Sequence, residues 1–292
     1  MLTVMLMNLN WLFPTELYLK CLFRLNTGNK LDLNDPKTFG EKIQWLKLFD
    51  RKQIYSRMVD KATVKEYVGS IIGNEYIIPT LGIWDKPYQI PWNDLPNKFV
   101  LKTTHGGGSS GVVICKDKTC FSTDTAITRL NHSMKQNIWR KLREWPYKNV
   151  KPRILAEKYI DPLSEDDLTD YKWYCFDGEP KYCQVIQNRS KKETINFFDT
   201  NWKHQEFVGL NPSAVQATVI PSRPRRLDKQ LEIARLLSQN IPFVRIDLYE
   251  DGDIVYFGEI TFYPRSGMGS FKPIRYNDIL GQMIKLPINN KQ

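Results

Sequence analysis

Between Phe243 and Gly269 the chain alternates apolar and polar residues twice, on either side of Asp251-Gly252. A period of two around an Asp-Gly pair predicts an antiparallel hairpin. In the first run Val244, Ile246 and Leu248 share one face and Arg245 and Asp247 the other. In the second run Ile254, Tyr256, Ile260 and Phe262 alternate with Glu259 and Thr261. Opposed residues of an antiparallel pair point the same way. The two apolar sets therefore coincide only when even-numbered residues oppose even-numbered ones, which needs an odd-length loop or a bulge. The polar face then carries Arg245 with two carboxylates, Asp247 and Glu259. It fits a divalent metal beside a phosphate-reading arginine, but from the hairpin alone the favoured reading is a half-exposed strand pair with surface ion pairs.

The same patterning places the other elements. Residues 14–50 read as helical, with turns at Asn26-Thr27-Gly28 and Asn34-Asp35-Pro36 and a capping box at Thr38–Glu41. Asp60–Val68 reads as a second helix, and Tyr76–Pro79 as a strand end. Thr123–Trp145 is a basic helical stretch, and Arg153–Ile160 a short strand. Tyr171–Phe176 and Lys181–Ile186 form a hairpin about Asp177-Gly178, after an acidic loop at Asp166–Tyr171. Leu227–Asn240 is a helix that packs on the final hairpin. No repeat is apparent.

Composition narrows the class. A chain of 292 residues with ordinary charge and abundant aromatics buries a sizeable core. Five scattered cysteines, no CxxC and only three histidines argue against zinc and suit a reducing cytoplasm. The net charge of +10 is concentrated in Lys135–Arg153, Arg189–Lys192 and Arg223–Arg226. It suits nucleic acid, an anionic membrane face or phosphorylated substrates, but no nucleic-acid-binding signature accompanies it. The apolar N-terminus, about a dozen residues, falls short of the roughly 20 needed to span a bilayer. It reads as a buried helix or one lying against a membrane.

Lys98–Leu101 and Val112–Ile114 are apolar strands flanking Lys102-Thr103-Thr104-His105-Gly106-Gly107-Gly108-Ser109-Ser110-Gly111. The glycines formally match GxGxxG, but no helix follows, as a dinucleotide fold requires. No P-loop lysine closes the loop, and no kinase motif appears elsewhere. A flexible hairpin of exposed N–H groups with Lys102 at its base suits an oligophosphate; a mobile surface hairpin fits as well.

Taken in order, PKTFGEKIQWLKL, DKATVKEYV, FVLKTTHGGGSSG, AEKYI, DYKWYCFDGEP, VRIDLY and GEITFYPRSG resemble the TupA-like family of ATP-grasp proteins, associated with teichuronopeptide and surface-polysaccharide synthesis. The resemblance covers roughly Pro36 to Gly269. It implies an α+β ATP-grasp fold, with the nucleotide held between two α+β subdomains after a helical N-terminal region. The expected segments are 1–90, an N-terminal helical/α-β region; 91–160, a central subdomain with the glycine-rich lid; and 161–292, a subdomain with the metal site.

The resemblance also implies roles. Lys61 and Lys102 would contact the α- and β-phosphates, and Gly106, Gly107, Gly108, Ser109 and Ser110 would close over them. His105 would face phosphate or substrate, or serve structure. Glu157, Lys158, Tyr159 and Ile160 would read adenine, the first through its carboxylate, with Asp161 toward ribose. Lys172 would lie under the γ-phosphate, and Arg245 would neutralise the transferred phosphoryl group. Asp247 and Glu259 would hold Mg²⁺, with Thr261 where many relatives carry Asn. Ser266 and Gly267 would offer backbone N–H groups to an acceptor carboxylate. The implied reaction is ATP- and Mg²⁺-dependent ligation of a carboxylate to an amine through an acyl phosphate. Its implied substrates are an amino acid or amine and a uronic-acid glycan on a nucleotide or lipid carrier, with no nucleic acid. The implied location is the cytoplasm at the inner membrane face, with peripheral contact. A glycan phosphotransferase or a glycosyltransferase of the same pathway are the alternatives, although the DxD letters at Asp251–Asp253 fall on a hairpin tip.

Overall fold

The computed structural model describes residues 2–108, 110–161, 168–188, 192–211, 213 and 215–287. Ser109, Arg189-Ser190-Lys191 and most of the acidic loop before Asp170 lie outside the described residues. The chain packs as two compact units. One comprises Gln53–Arg140 and Trp145–Asp161; the other comprises Met1–Lys52, Lys141–Glu144 and Pro162–Gln292. These differ from three consecutive segments because the N-terminal helices share a core with the C-terminal sheet.

The first unit is built on four strands, β1 (Thr80–Trp84), β2 (Phe99–Thr103), β3 (Val112–Cys115) and β4 (Ile154–Lys158). Their spatial order is β1-β4-β2-β3, and all adjacent pairs are antiparallel. β1 follows Pro79, where the sequence pattern ended a strand. Phe99, Leu101, Val113, Ile154 and Ala156 pack with Ala126 and Leu130 of the Thr123–Met134 helix. That helix stops at Met134, and a separate short one, Ile138–Leu142, follows in the basic stretch. The predicted Asp60–Val68 helix starts later, at Val64. Asp60 instead accepts from the Ala62 N–H at 3.0 Å and pairs with Arg153 at 2.7 Å. A short aspartate that bonds its own turn competes with helix extension.

The second unit centres on five antiparallel strands ordered β10-β9-β5-β6-β7. They are β5 (Asp170–Phe176), β6 (Glu179–Gln187), β7 (Thr194–Asp199), β9 (Phe243–Asp251) and β10 (Ile254–Thr261); β8 (Val208–Gly209) pairs separately with β11 (Phe271–Lys272). Asp177 and Gly178 turn the β5–β6 hairpin with φ of 51° and 83°, the left-handed conformation such tight turns demand. The Leu227–Ser238 helix covers one face, where Trp173 Nε1 donates to Gln230 Oε1 at 3.0 Å. The Phe39–Phe49 helix anchors on the other. Its Thr38 cap accepts from the Glu41 N–H, and Glu41 accepts from the Thr38 N–H, as the capping-box spacing predicts. Phe39 meets Phe243 edge-on at 5.0 Å and Phe271 at 5.3 Å between ring centroids. These aromatic contacts tie the N-terminal segment to the sheet.

The final hairpin has the bulge its pattern called for. Ile254 opposes Asp251 and Phe257 opposes Leu248, so the turn itself has an even register. The register shifts between Phe257 and Glu259, after which Glu259 opposes Asp247 and Thr261 opposes Arg245. The shift lies inside the strand, and this corrects half of the predicted face. Val255 and Phe257 are buried before the bulge, with Ile254 exposed; Ile260 and Phe262 are buried after it. A single extra residue inverts every side chain beyond it.

Candidate active site

Three strands bring five of the predicted residues onto one sheet face. Lys172 of β5 opposes Asp247 of β9, which opposes Glu259 of β10. On the neighbouring rung Tyr174 opposes Arg245, which opposes Thr261. Asp247 is 1% exposed. Arg245 donates to its two oxygens at 2.7 and 2.8 Å, and Lys172 makes a short ion pair with Oδ2. Arg245 also reaches Thr261 Oγ1 at 3.1 Å and Glu259 at 3.5 Å. Burial works against the guanidinium charge, but the Asp247 carboxylate prevails and raises the Arg245 pKa above its ordinary value. Burial likewise raises the Tyr174 phenol. Pattern reading did not single out Asp170 and Tyr174; Asp170 is buried 3.8 Å from Lys172. Both lie two residues from Lys172 along β5, the period-two signal that could have found them.

In the other unit, Lys102 at the end of β2 pairs with Glu157 of β4 at 2.6 Å. Glu157 is almost fully buried, and its other oxygen pairs with Lys65 at the same distance. Burial opposes the Glu157 charge; Lys102 and Lys65 outweigh it and lower the carboxyl pKa. Lysines thus hold both oxygens of the carboxylate to which the resemblance gives an adenine role. Lys65 escaped the sequence reading because, four residues from Lys61, it looked like an ordinary polar helix position. Lys158 is exposed, and its N–H donates to Pro79 O at 3.0 Å. Tyr159 and Ile160 are half-buried, and Asp161 is exposed in an ion pair with Lys98.

The glycine loop rises from this sheet edge. Thr103 N–H donates to Gly111 O at 3.0 Å, closing the loop base. A Cβ on Gly111 would lie 2.1 Å from Thr103 Oγ1, and one on Gly106 2.7 Å from the same atom. Gly108 has φ +68°, which glycine adopts without strain. Lys61 reaches the loop directly, its Nζ donating to Gly106 O at 2.6 Å. Gly107, Gly108 and Ser110 are exposed, whereas His105 is buried beneath. Burial pushes the His105 imidazole below its ordinary value. The ring lies 4% exposed below the exposed residues of the loop.

The turn at Arg265–Gly267, expected from the resemblance to meet an acceptor, is held by its surroundings. Arg265, Ser266 and Gly267 have φ of 49°, 56° and 66°, three successive left-handed residues. Ser266 is buried, and its N–H donates to Tyr263 O at 2.7 Å, so that donor is already used. The carbonyl of Ser266 accepts from Gln44 at 2.8 Å and from Lys47 at 2.7 Å. Lys47 is wholly buried, and burial pushes its ammonium down to about 8 against the pull of Glu144. A Cβ on Gly267 would meet Ile43 Cγ2 at 2.6 Å.

Asp247 and Glu259 are opposed hard-oxygen donors with the Thr261 hydroxyl beside them, a set that suits Mg²⁺. Among the described residues no group of three or more His, Cys, Asp or Glu side chains is assembled for a metal. A divalent cation held by this pair would need further oxygens, such as those of a phosphate.

A family model described as TupA-like ATPgrasp matches residues 41–285. No curated protein matches the chain. Among solved structures, the chain is similar to a D-alanine–D-alanine ligase from Helicobacter pylori, at 16% identity and TM-score 0.47, covering 85% of this chain and 70% of that one. It is also similar to an ATP-bound D-alanine–D-alanine ligase from Bacillus anthracis, at 14% identity and TM-score 0.40, covering 70% and 53%. A third is the ATP-grasp ligase PsnB with a precursor variant, Mg and ADP, at 10% identity and TM-score 0.42, covering 84% and 65%. The chain thus spans between about half and seven tenths of the length of these proteins. The family match takes in both charged clusters and the glycine loop, and this chain belongs to the TupA-like ATP-grasp family, with its α+β fold.

Proposed function

We propose that the chain is an ATP-dependent carboxylate–amine ligase that forms an amide through an acyl phosphate. The observation that carries this reading is the β5-β9-β10 face, where Lys172, Arg245, Asp247, Glu259 and Thr261 meet. Two cations and two carboxylates on one rigid face, with Asp247 fully desolvated, match phosphoryl transfer by positioning and electrostatics. Lys61, Lys102 and the exposed amides of the glycine loop would bind the phosphates. Backbone groups of Glu157–Ile160 would read adenine, and Asp161 ribose. Asp247 and Glu259 would hold Mg²⁺, which when bound neutralises phosphate charge.

In this mechanism Lys172 and Arg245 draw the γ-phosphoryl charge, and the acceptor carboxylate attacks phosphorus as ADP departs. Arg245 then balances the acyl phosphate until an amine displaces phosphate, leaving the amide. Exclusion of water protects this reactive intermediate. Gly267 and the exposed Arg265 flank the turn that would receive the acceptor. The substrates would be an amino acid or amine and a uronic acid of a cell-surface polysaccharide precursor. The net charge of +10 supports a nucleotide- or lipid-linked anionic glycan. Arg226 is less available than the sequence suggested, because its Nε donates to Asp253 O at 2.8 Å.

No helix among the described residues is long and apolar enough to cross a membrane. Exposed Val4, Trp11, Leu12 and Leu17 support a peripheral contact at a membrane face.

Product analysis with ATP, Mg²⁺ and a panel of uronic acids and amino acids tests the reaction. ADP, phosphate and an amide are expected. A stable phosphosugar would establish the phosphotransferase instead, and AMP would point to adenylation.

A further inference from the structure

Two lysines share one buried carboxylate in the sheet of β1–β4. Side chains of Lys65 and Lys102 are 13% and 16% exposed, and that of Glu157 is 6% exposed. The three groups carry a net charge of +1 in a largely desolvated place, a local excess that attracts an anion. The lysines are differently placed. Lys65 stands on the Val64–Ile72 helix and donates to Ile78 O at 2.6 Å and Thr80 Oγ1 at 3.0 Å as well as pairing with Glu157. Those three partners account for all three ammonium protons. Lys102 stands one residue before the loop base at Thr103.

We infer that Lys65 is a positioning residue that keeps Glu157 paired while Lys102 leaves the carboxylate for an incoming phosphate. The inference rests on the proposed use of ATP by Lys102. Its physical ground is the penalty for stranding a buried charge without a partner. With Lys102 alone as partner, recruitment to phosphate would leave Glu157 bare, and the nucleotide would bear that cost. With Lys65 fixed in place, Lys102 can exchange one anion for another.

Equilibrium titration of the full chain with ATP and Mg²⁺ separates this from simple packing. Lys65→Met is expected to raise the ATP dissociation constant at least about tenfold. Lys65→Arg, which retains the charge, is expected to lose less. Adding Glu157→Gln to Lys65→Met should recover most of the lost affinity, because no charge remains to be stranded. Adding it to Lys102→Met should recover nothing, because there the phosphate contact itself is gone. A structural role for Lys65, or direct contact between Lys65 and ATP, gives no recovery in the Lys65→Met/Glu157→Gln protein, and that result overturns the inference. Unchanged affinity in Lys65→Met overturns it too. Should the methionine variant be unstable, Lys65→Gln replaces it under the same criteria. Failure of the wild-type chain to bind ATP would instead sink the nucleotide reading itself.

Discussion

At the scale of single residues, Asp247 concentrates the argument. It accepts from Arg245 through both oxygens and is paired with Lys172, all of them largely out of water. Replacing it by asparagine removes the carboxylate that touches both cations, leaving Glu259 at 3.5 Å from Arg245 and Asp170 at 3.8 Å from Lys172. Asp247→Asn is therefore expected to abolish ATP turnover and to lower stability by about 3 kcal/mol, the scale for breaking a buried ion pair. Steady-state kinetics and denaturant unfolding check both, and a fully active variant would remove the metal and phosphoryl roles. His105 makes a pH prediction. Its pKa is lowered in the folded chain, so below about 6.5 the unfolded chain binds a proton that the folded one resists. Stability should fall as pH drops through that range, and His105→Gln should flatten this slope in unfolding curves.

At the scale of elements, one inserted residue interrupts the β9–β10 ladder. Gly258 is the register shift, and a Cβ there would lie 3.0 Å from Asp247 O and from Tyr249 Cε2. Gly258→Ala demands a small backbone adjustment, expected to cost about 1–3 kcal/mol with activity reduced but retained. Deleting Gly258 is a different perturbation. It joins Phe257 to Glu259 in one unbroken ladder with Glu259 still opposite Asp247 and Thr261 opposite Arg245, so a folded deletion variant should keep the polar face and retain turnover. Circular dichroism with activity on both variants distinguishes the two. Loss of turnover in a folded deletion variant would show that the site depends on the local distortion at the bulge and not on the pairing alone. The turn at Arg265–Gly267 belongs to the same scale. Non-glycine residues at positive φ persist only where their surroundings hold them, and here Lys47 and Gln44 grip the Ser266 carbonyl.

At the scale of the molecule, charge and exposed apolar surface bear on where the chain works. Under the proposed peripheral contact, a net charge of +10 would draw it to anionic surfaces, and the exposed Trp11 and Leu12 would be the apolar anchoring groups. Cosedimentation with anionic vesicles at low salt is the expected behaviour, with Trp11→Ser/Leu12→Ser weakening it several-fold and neutral vesicles retaining little. Binding that ignores both changes would exclude these residues as the contact.

Much of the site was legible along the chain because its determinants are local. Period-two alternation exposes a polar strand face, a Ser/Thr-x-x-Glu spacing starts a helix, and clustered glycines announce exposed amides. Even the need for a bulge follows from parity, since Val244, Ile246 and Leu248 must share a face with Ile260 and Phe262. Its position within β10 does not, because whether the turn or the strand absorbs the extra residue is settled by packing. Long-range pairing was equally hidden. Nothing local says that Glu157 meets Lys65 as well as Lys102, or that Lys47 lies beneath Ser266, 219 residues away. The sequence by itself determined which groups carry the charge and on which strands they stand. Tertiary structure alone decided which charges neutralise one another, since ion pairing depends on separation and burial in space.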